Sequence, residues 1–253
     1  MTDVDGTTIS NGLIVDSPVV AINATNTRFV DSGLLWRGDT AVFDWPGSTV
    51  TFLRSRLSVW RLSCGSRCAV VDGATALNEL YADHHLVIQG GGSNIETIGA
   101  PTTEVVGHRL WARRIGGEEL TIRGSWMTYG EIIASKRIHL LDNTFTADMQ
   151  VVVQQPATGV ISGNVFANSR TNGLLVRPQQ TLNGPLLIEH NKFVYNRGDG
   201  LRIDVPIPLD ITVRDNVSEN NGQHGMWATP GTVIDGGGNT SFNDKLGCYT
   251  ISC

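Results

Sequence analysis

A repeated pattern of asparagine, phenylalanine and aliphatic residues is the feature that most constrains the fold of this chain. Four segments place an aliphatic residue three positions before an asparagine, and the first three also place phenylalanine two positions after it: residues 140–145, 161–166, 188–193 and 213–218. A degenerate copy ends at Asn239, and successive asparagines are 21, 27, 25 and 23 residues apart. Repeats of roughly 20 to 30 residues are typical of solenoids, in which a single repeat cannot bury its own apolar face.

Glycine marks a second fixed position in the repeat. Gly173, Gly200 and Gly225 each lie nine residues after an asparagine and begin a short hydrophobic run. Short β-prone runs separated by Asn and Gly predict strands rather than helices, and a crossover between parallel strands is nearly always right-handed. We therefore predict an all-β fold, a right-handed parallel β-helix (a single-stranded β-solenoid) of about ten coils of ~24 residues.

Physical chemistry explains the residue types at these positions. Strands of successive coils lie about 4.8 Å apart, so equivalent aliphatic side chains stack inside the coil. Asparagine suits a corner because it tolerates the left-handed backbone conformation and because its amide can hydrogen-bond to the asparagine of the next coil. Glycine at the second corner is expected to adopt a positive φ. The same reasoning predicts that His190 and His224, in or beside such corners, are turn residues.

Composition favours one elongated domain over residues 1–253. The chain contains 29 glycines, 40% of its residues are hydrophobic, and no proline- or serine-rich linker divides it. The repeats are clearest over residues 115–243, and we expect residues 244–253 to form a disulfide-bonded C-terminal cap. Helical periodicity is absent except for one or two turns suggested by residues 74–83.

Charge limits the partners that the chain can take. The formal net charge is −5 and no basic run occurs, which argues against nucleic acid and anionic membranes as partners. No segment is apolar over the length of a transmembrane helix, so membrane insertion is not expected. A signal or anchor for export is expected to lie outside this sequence.

The cysteines point to an oxidising compartment. They form two tight pairs, Cys64 with Cys68 and Cys248 with Cys253. Two local disulfides are the simplest interpretation, and they indicate a secreted or cell-surface protein. Free thiols and a four-cysteine zinc site are the alternatives. A zinc site would need both pairs close together in space, but one pair lies early in the chain and the other at its end.

Strand alternation predicts which side chains face solvent in the runs that follow the glycines. Leu174, Leu201 and Met226 should point inward, and the residues between inward positions should point outward. The outward residues then form two columns, one of Leu175, Arg202 and Trp227 and one of Arg177, Asp204 and Thr229. The preceding coils add Gln154 and Glu131 to the same face.

The outward side chains suit a polysaccharide. An aromatic side chain can stack on a pyranose ring, arginine can pair with a uronate carboxylate through two parallel hydrogen bonds, and a carboxylate can act as a base. We predict catalytic roles for Arg177, Arg202 and Asp204, and substrate-binding roles for Trp227, Gln154 and Glu131. The alternative is a solvated outer sheet whose Arg–Asp ladder contributes little energy.

The segment Asn196-Arg-Gly-Asp-Gly-Leu-Arg-Ile-Asp204, followed by residues 211–225, resembles a known repeat. It is similar to the right-handed parallel β-helix repeat of many secreted carbohydrate-binding proteins and sugar hydrolases with a pectate-lyase-like fold. The glycines before Asn239 and the terminal cysteine pair are similar to secreted β-helix proteins of actinobacteria. The resemblance implies a polysaccharide or cell-surface glycan as partner, and a monomer or lateral homo-oligomer. It implies no particular reaction, because the fold hosts lyases, hydrolases, epimerases and inert adhesins.

The reaction classes differ in what they require. Glycoside hydrolysis usually needs two carboxylates about 5 to 9.5 Å apart. Asp204 with Asp199 or Glu131 is a candidate pair, but the paired Asp-Asp motif of polygalacturonases is absent from the sequence. Calcium-assisted lyase chemistry needs a cluster of acidic ligands. The outward columns show only scattered ones, so no metal or cofactor is expected, with calcium left as an alternative that no ligand cluster supports. Metal-free lyase or epimerase chemistry needs a base, an acid and an arginine that neutralises the uronate.

A secondary candidate site lies at residues 81–85. Its side chains, Tyr81, Asp83, His84 and His85, resemble the Tyr-Asp-His motif of alginate epimerases. The sequence therefore predicts an extracellular, polysaccharide-interacting protein that is a uronate lyase, an epimerase or a glycoside hydrolase if it is an enzyme. A non-catalytic carbohydrate-binding or adhesive module and a purely structural module are the alternatives.

Overall fold

A computed structural model describes residues 3–5, 8–10, 13–15, 23–35, 42–45, 49–150, 158–177, 184–206 and 209–253. The regular secondary structure of these residues is entirely β-strand. The chain divides into two compact units, Met1–Gly117 and Glu118–Cys253, and a single domain over the whole chain stays a prediction. Within the described ranges, no helix has the length and apolarity needed to cross a membrane.

The first unit is built from strands that pair in parallel with equivalent strands one coil later. Its strands are β1 Asp3–Asp5, β2 Thr8–Ser10, β3 Leu13–Val15, β4 Asn23–Thr25, β5 Thr27–Val30, β6 Gly33–Leu35, β7 Val42–Trp45, β8 Thr49–Leu53, β9 Arg56–Cys64, β10 Arg67–Val71, β11 Ala74–Ala82, β12 His85–Gln89, β13 Gly92–Gly99, β14 Thr102–Val106 and β15 Arg109–Arg123, which continues past the boundary at Gly117. β9 pairs with β11, β11 with β13 and β13 with β15.

Aliphatic side chains of the first unit stack in register inside the coil. Leu62, Leu80, Ile98 and Ile115 lie opposite one another on consecutive coils, and each is at most 1% exposed. Full burial of such a side chain stabilises the fold by roughly 1.5–3 kcal/mol. The suggestion of helical turns over residues 74–83 is wrong, because strand pairing on both sides of β11 and burial of its inward face override local propensity.

The second unit has strands at three positions in each of its later coils. Its strands are β16 Trp126–Leu141, β17 Thr144–Gln150, β18 Thr158–Ser162, β19 Val165–Ala167, β20 Leu174–Val176, β21 Leu186–Glu189, β22 Lys192–Val194, β23 Leu201–Ile203, β24 Ile211–Arg214, β25 Val217–Glu219, β26 Met226–Ala228, β27 Ile234–Gly237 and β28 Thr240–Phe242. Parallel sheets are formed by β18, β21, β24 and β27, by β19, β22, β25 and β28, and by β20, β23 and β26. The predicted all-β parallel β-helix is confirmed.

The phenylalanines of the repeat form part of the core of the second unit. Phe145, Phe166 and Phe193 are at most 1% exposed. The centroids of successive rings are 4.8 and 5.4 Å apart, and the ring planes are nearly parallel, as the spacing of successive coils requires. Ser218 takes the equivalent position in the next coil, which matches the loss of phenylalanine from the fourth repeat.

The asparagines of the repeat form a buried column, here called the Asn ladder: Asn143, Asn164, Asn191, Asn216 and Asn239. The amide nitrogen and the backbone N–H of each of the first four donate to Oδ1 of the next asparagine, at 2.9–3.0 Å and 3.0–3.1 Å. Every amide nitrogen also donates to a backbone carbonyl of the preceding coil, at 2.8–3.2 Å. The predicted stacking at one corner is confirmed.

The left-handed residue of the corner is not the ladder asparagine, which corrects the sequence prediction. A φ of 52° to 71° occurs instead at the residue immediately before each ladder asparagine: Asp142, Gly163, His190, Asp215 and Gly238. The preceding residue makes the turn, and the asparagine aligns its N–H and its amide with the next coil. His190 is therefore a turn residue, as predicted.

A second ladder lies five residues after the first and was not predicted. It consists of Ser169, Asn196, Asn221 and Asp244. The backbone N–H of each of the first three donates to Oδ1 of the next residue, at 2.7–3.0 Å. Asp244 ends the column because a carboxylate accepts from Asn221 and from the Ser241 hydroxyl without needing an acceptor beyond it. The constant five-residue offset was the signal in the sequence.

The three glycines that begin the hydrophobic runs, Gly173, Gly200 and Gly225, are here called the landmark glycines. They are needed for close packing and not for a positive φ. None of Gly173, Gly200 and Gly225 adopts the left-handed conformation. A Cβ at Gly173 would lie 2.6 Å from the carbonyl oxygen of Gly200, and a Cβ at Gly200 would lie 2.5 Å from that of Gly225. The backbones of successive coils therefore approach too closely for any side chain at this position.

Both predicted disulfides are present. Cys64 bonds to Cys68 and Cys248 to Cys253, with Cα atoms 5.4 and 6.1 Å apart. The second bridge joins the two ends of a short segment that lies against the last coil. Within that segment the Tyr249 N–H donates to the Met226 carbonyl at 2.9 Å, and the Ala228 N–H donates to the Tyr249 carbonyl at 3.3 Å.

His108 gives the first unit a pH-dependent contribution to stability. It is 1% exposed, its Nδ1 is hydrogen-bonded to the Gly90 carbonyl, and burial lowers its pKa below the ordinary value of 6.5. Because the folded state favours the neutral ring, this contribution is complete above the unfolded-state pKa. It is lost as pH falls through the lower folded-state pKa.

We therefore expect the melting temperature to fall as pH is lowered from about 7 to about 5. The variant His108→Gln should show a shallower decline, because it removes one group that takes up a proton on unfolding. His139, whose pKa burial also lowers, should retain its share of the dependence. Thermal melts of parent and variant across this pH range measure both slopes, and identical slopes would contradict the assignment to His108.

Candidate functional site

The sheet formed by β20, β23 and β26 carries the predicted site residues. Its register places Arg202 beside Leu175 on one side and Trp227 on the other, as strand alternation predicts. The inward-facing side chains of all three strands are fully buried. Leu175 departs from the prediction, because it is only 5% exposed. The outward column is therefore apolar and buried at Leu175 and becomes polar and accessible from Arg202 onward.

Three side chains from consecutive coils stack along this column. The guanidinium carbon of Arg202 lies 4.2 Å from the centre of the Trp227 ring. The rings of Trp227 and Tyr249 are 6.2 Å apart with 12° between their planes, and the two residues form a parallel bridge. Since the coils follow one another, Arg202 and Tyr249 contact opposite faces of the indole. Trp227 therefore presents its edge to solvent, and Tyr249, 48% exposed, is an accessible aromatic ring at the end of the column.

A buried carboxylate orients the arginine and a histidine. Asp199 is fully buried, and its Oδ2 accepts from Nη1 of Arg202 at 2.9 Å. Its Oδ1 accepts from the backbone N–H of His224 at 2.9 Å and lies 3.0 Å from Nδ1 of the same residue. We call Asp199, Arg202, His224, Trp227 and Tyr249 the Arg202 site. It brings together groups that can bind a carboxylate and transfer a proton.

The role of His224 was missed by sequence reasoning, which interpreted it only as a turn residue. The signal was its position: Asn172, Asp199 and His224 each stand immediately before a landmark glycine. Equivalent positions stack, so residues 25 apart in sequence become neighbours in space. Asp199 entered the sequence analysis only as a partner of Asp204 in hydrolysis.

The second outward column forms an exposed ion pair. Nη2 of Arg177 lies 2.9 Å from Oδ2 of Asp204, and the two side chains are 54% and 39% exposed. Exposed pairs of this kind contribute about 0–1 kcal/mol to stability. The pair flanks the Arg202 site, and the catalytic roles predicted for Arg177, Arg202 and Asp204 stay predictions.

The placement of Glu131 and Gln154 on this face stays a prediction. Glu131 is half-buried in β16, and its register partner is Gln150 of β17. Gln154 lies outside the described residues. Across the ranges that the structure describes, no group of three or more His, Cys, Asp or Glu side chains is arranged to hold a metal ion.

The secondary candidates belong to the first unit, and two of them lie on neighbouring strands. Tyr81, in β11, is covered by the guanidinium of Arg61 at 5.2 Å, and burial raises the pKa of its hydroxyl. His85 begins β12, with Nε2 3.3 Å from a carboxylate oxygen of Glu104.

The other two candidates lie in the bend between these strands. The Asp83 N–H donates to the carbonyl oxygens of Cys64 and Gly65, at 3.1 and 2.9 Å, and His84 is exposed. These contacts order the bend, and the resemblance to an epimerase motif stays a prediction.

Comparison with known proteins agrees with this architecture. The chain matches the family model described as right handed beta helix region over residues 115–250, more than half of its length. The matched part contains every strand from β16 to β28, and the predicted right-handedness agrees with it. Comparisons with curated proteins and with solved structures give no significant match. The chain belongs to the right handed beta helix family.

Proposed function

We propose that this chain is an extracellular protein that binds an acidic, uronate-containing polysaccharide at the Arg202 site. The observation that carries the proposal is the fixed position of the Arg202 guanidinium, which is held by buried Asp199 and lies over the Trp227 ring. One guanidinium nitrogen is occupied by Asp199, and the side chain remains 31% exposed. An arginine held in place in this way loses little conformational entropy when it pairs with a carboxylate.

Neighbouring groups support the same ligand class. The exposed ring of Tyr249 offers an apolar surface with a polar hydroxyl, which suits the mixed surface of a sugar ring. Arg177 supplies a second guanidinium on the adjacent column. The two disulfides favour a secreted or cell-surface location, because such bonds persist in oxidising compartments.

The test is binding of the parent and a double variant, R202A/W227A, to polygalacturonate, alginate and a neutral glycan. We expect the parent to bind the two uronate polymers and the variant to lose that binding. Because R202A removes a charged partner of the buried Asp199 carboxylate as well as the contact with the Trp227 ring, the double variant should lower the free energy of unfolding by about 3–5 kcal/mol. Isothermal titration calorimetry measures binding, and thermal melts check the fold.

The matched control is R214A/W126A, which removes an exposed arginine and an exposed tryptophan from other positions of the same unit. This control should bind like the parent. Equal binding by R202A/W227A, or no binding of any glycan by the parent, would overturn the proposal.

A purely structural module is the second candidate function. The exposed Arg177–Asp204 pair favours it, because an outer sheet needs such solvated pairs without any ligand. It predicts no glycan binding by the parent, so the same titrations separate the two candidates.

A further inference from the structure

The outward face of β19, β22, β25 and β28 carries few charges and lies on a different sheet from the Arg202 site. It is here called the Phe242 face, and its outward side chains are Val165, Ala167, Lys192, Val194, Val217, Glu219, Thr240 and Phe242. The two charged side chains of this set pair with each other, with Nζ of Lys192 2.8 Å from Oε2 of Glu219. The cores of protein–protein interfaces are likewise depleted of charged residues and enriched in aromatic ones.

Apolar side chains of the Phe242 face are open to solvent. Phe242 is 64% exposed and Val217 is 38% exposed. In the two earlier strands of the face, Val165 and Ala167 are half-buried. Because strands of successive coils lie about 4.8 Å apart, these side chains form one continuous surface. A contiguous apolar surface of this kind marks a site of interaction more often than scattered apolar residues do.

Tyr195 borders this face in a backbone conformation that does not suit it. It has a φ of 57° at the corner after β22, and the equivalent corner residues of neighbouring coils are Asn168, Asn220 and Asn243, with φ of 54° to 60°. Asparagine adopts this left-handed conformation readily, whereas a bulky side chain does so at an energetic cost. Tyr195 is 61% exposed, so burial within its own chain offsets little of that cost. An exposed ring at a strained corner therefore points to a contact with another molecule.

We infer that the Phe242 face binds the same face of a second copy of this chain, with the coils of the two copies running in opposite directions. A two-fold axis parallel to the strands, between β22 and β25, places each β22 opposite β25 of the other copy. Ala167 then faces Phe242 of the other copy, and Lys192 comes within reach of Glu219 of the other copy. Tyr195 lies opposite the asparagine of the facing corner. The apolar and the charged groups of the face are thus complementary to themselves under one symmetry operation.

The first experiment is sedimentation velocity of the parent and of single variants over a range of protein concentrations. The four strands span only about 14 Å along the coil axis, so we expect a weak dimer that forms at about 100 µM protein. Phe242→Glu should lower the association constant about tenfold or more. Ile234→Glu is the matched control, because Ile234 is 52% exposed in the same last coil but lies on another sheet, in β27. This control should associate like the parent.

Tyr195→Asn separates association from folding. The variant restores the residue found at the equivalent corners, so its melting temperature should equal or exceed that of the parent while its association weakens several-fold. Charge reversal then tests the contact between copies. Lys192→Glu and Glu219→Lys should each associate more weakly than the parent, because like charges meet across the axis. An equimolar mixture of the two should recover association, since every pair between copies then joins opposite charges, whereas pairs within each chain are unchanged by mixing.

The outcomes decide whether a second copy is what covers the Phe242 face. A parent that stays monomeric at several times the expected concentration overturns the inference, and the face is then left to a different protein or to solvent. Association that Phe242→Glu and Tyr195→Asn leave unchanged shows that the copies meet elsewhere. A mixture of the charge variants that associates no better than either variant alone overturns the two-fold arrangement. None of these results depends on glycan binding at the Arg202 site.

Discussion

Replacing Asn191 with alanine is expected to lower the free energy of unfolding by about 3–5 kcal/mol, because several buried polar groups lose their partners together. The side chain is 1% exposed. Its Oδ1 accepts from both the backbone and the amide of Asn164, and its amide donates to Asn216 and to the carbonyl of Ile161. Alanine would leave the Asn164 donors and the Ile161 carbonyl without these partners in the core.

Chemical denaturation followed by circular dichroism measures this loss, and Lys192→Ala is the neighbouring control. Lys192 is exposed and pairs with Glu219 on the surface, so its removal should cost about 1 kcal/mol or less. Asn191→Asp should be at least as destabilising as Asn191→Ala, because its second carboxylate oxygen would face two acceptors, Oδ1 of Asn216 and the Ile161 carbonyl, in the core. If Asn191→Ala is as stable as Lys192→Ala, the Asn ladder does not hold the coils together.

Gly200→Ala is expected to cost about 3 kcal/mol or more, or to prevent folding, because the new methyl group has no space. Its Cβ would lie 2.5 Å from the Gly225 carbonyl oxygen and 2.8 Å from both Cβ of Phe193 and Oγ of Ser218. The first two of these atoms cannot move without moving the chain, so adjacent coils would have to separate.

Gly231→Ala is the control that separates crowding from backbone conformation. Gly231 has a φ of +72°, but a methyl group at this position would meet no other atom within 4 Å. Its replacement therefore tests only the left-handed penalty of about 1–2 kcal/mol. Urea titrations of the two variants give the comparison. A smaller loss for Gly200→Ala than for Gly231→Ala would show that crowding between coils is not what requires glycine.

The candidate site shows where prediction from sequence ends. Strand alternation correctly placed Arg202 next to Trp227, because neighbouring coils repeat the same residue positions. It did not identify the contact of Asp199 with His224, because a residue before a landmark glycine can face solvent or the core at a corner, and alternation applies only within strands. Nor did it show that Trp227 lies between Arg202 and Tyr249.

The sequence by itself determined the coil, its parallel pairing, the Asn ladder and the two disulfides. The coil, its pairing and the Asn ladder repeat, so each residue meets its own counterpart one coil away and the period alone identifies its neighbour. The disulfides join cysteines that are close in the sequence. Only the tertiary structure decided which corner residue is left-handed, why the landmark glycines are glycine, and which side chains surround Arg202. Those outcomes depend on distances of a few ångströms between coils, which vary with loop lengths and side-chain rotamers and are not encoded in the repeat period.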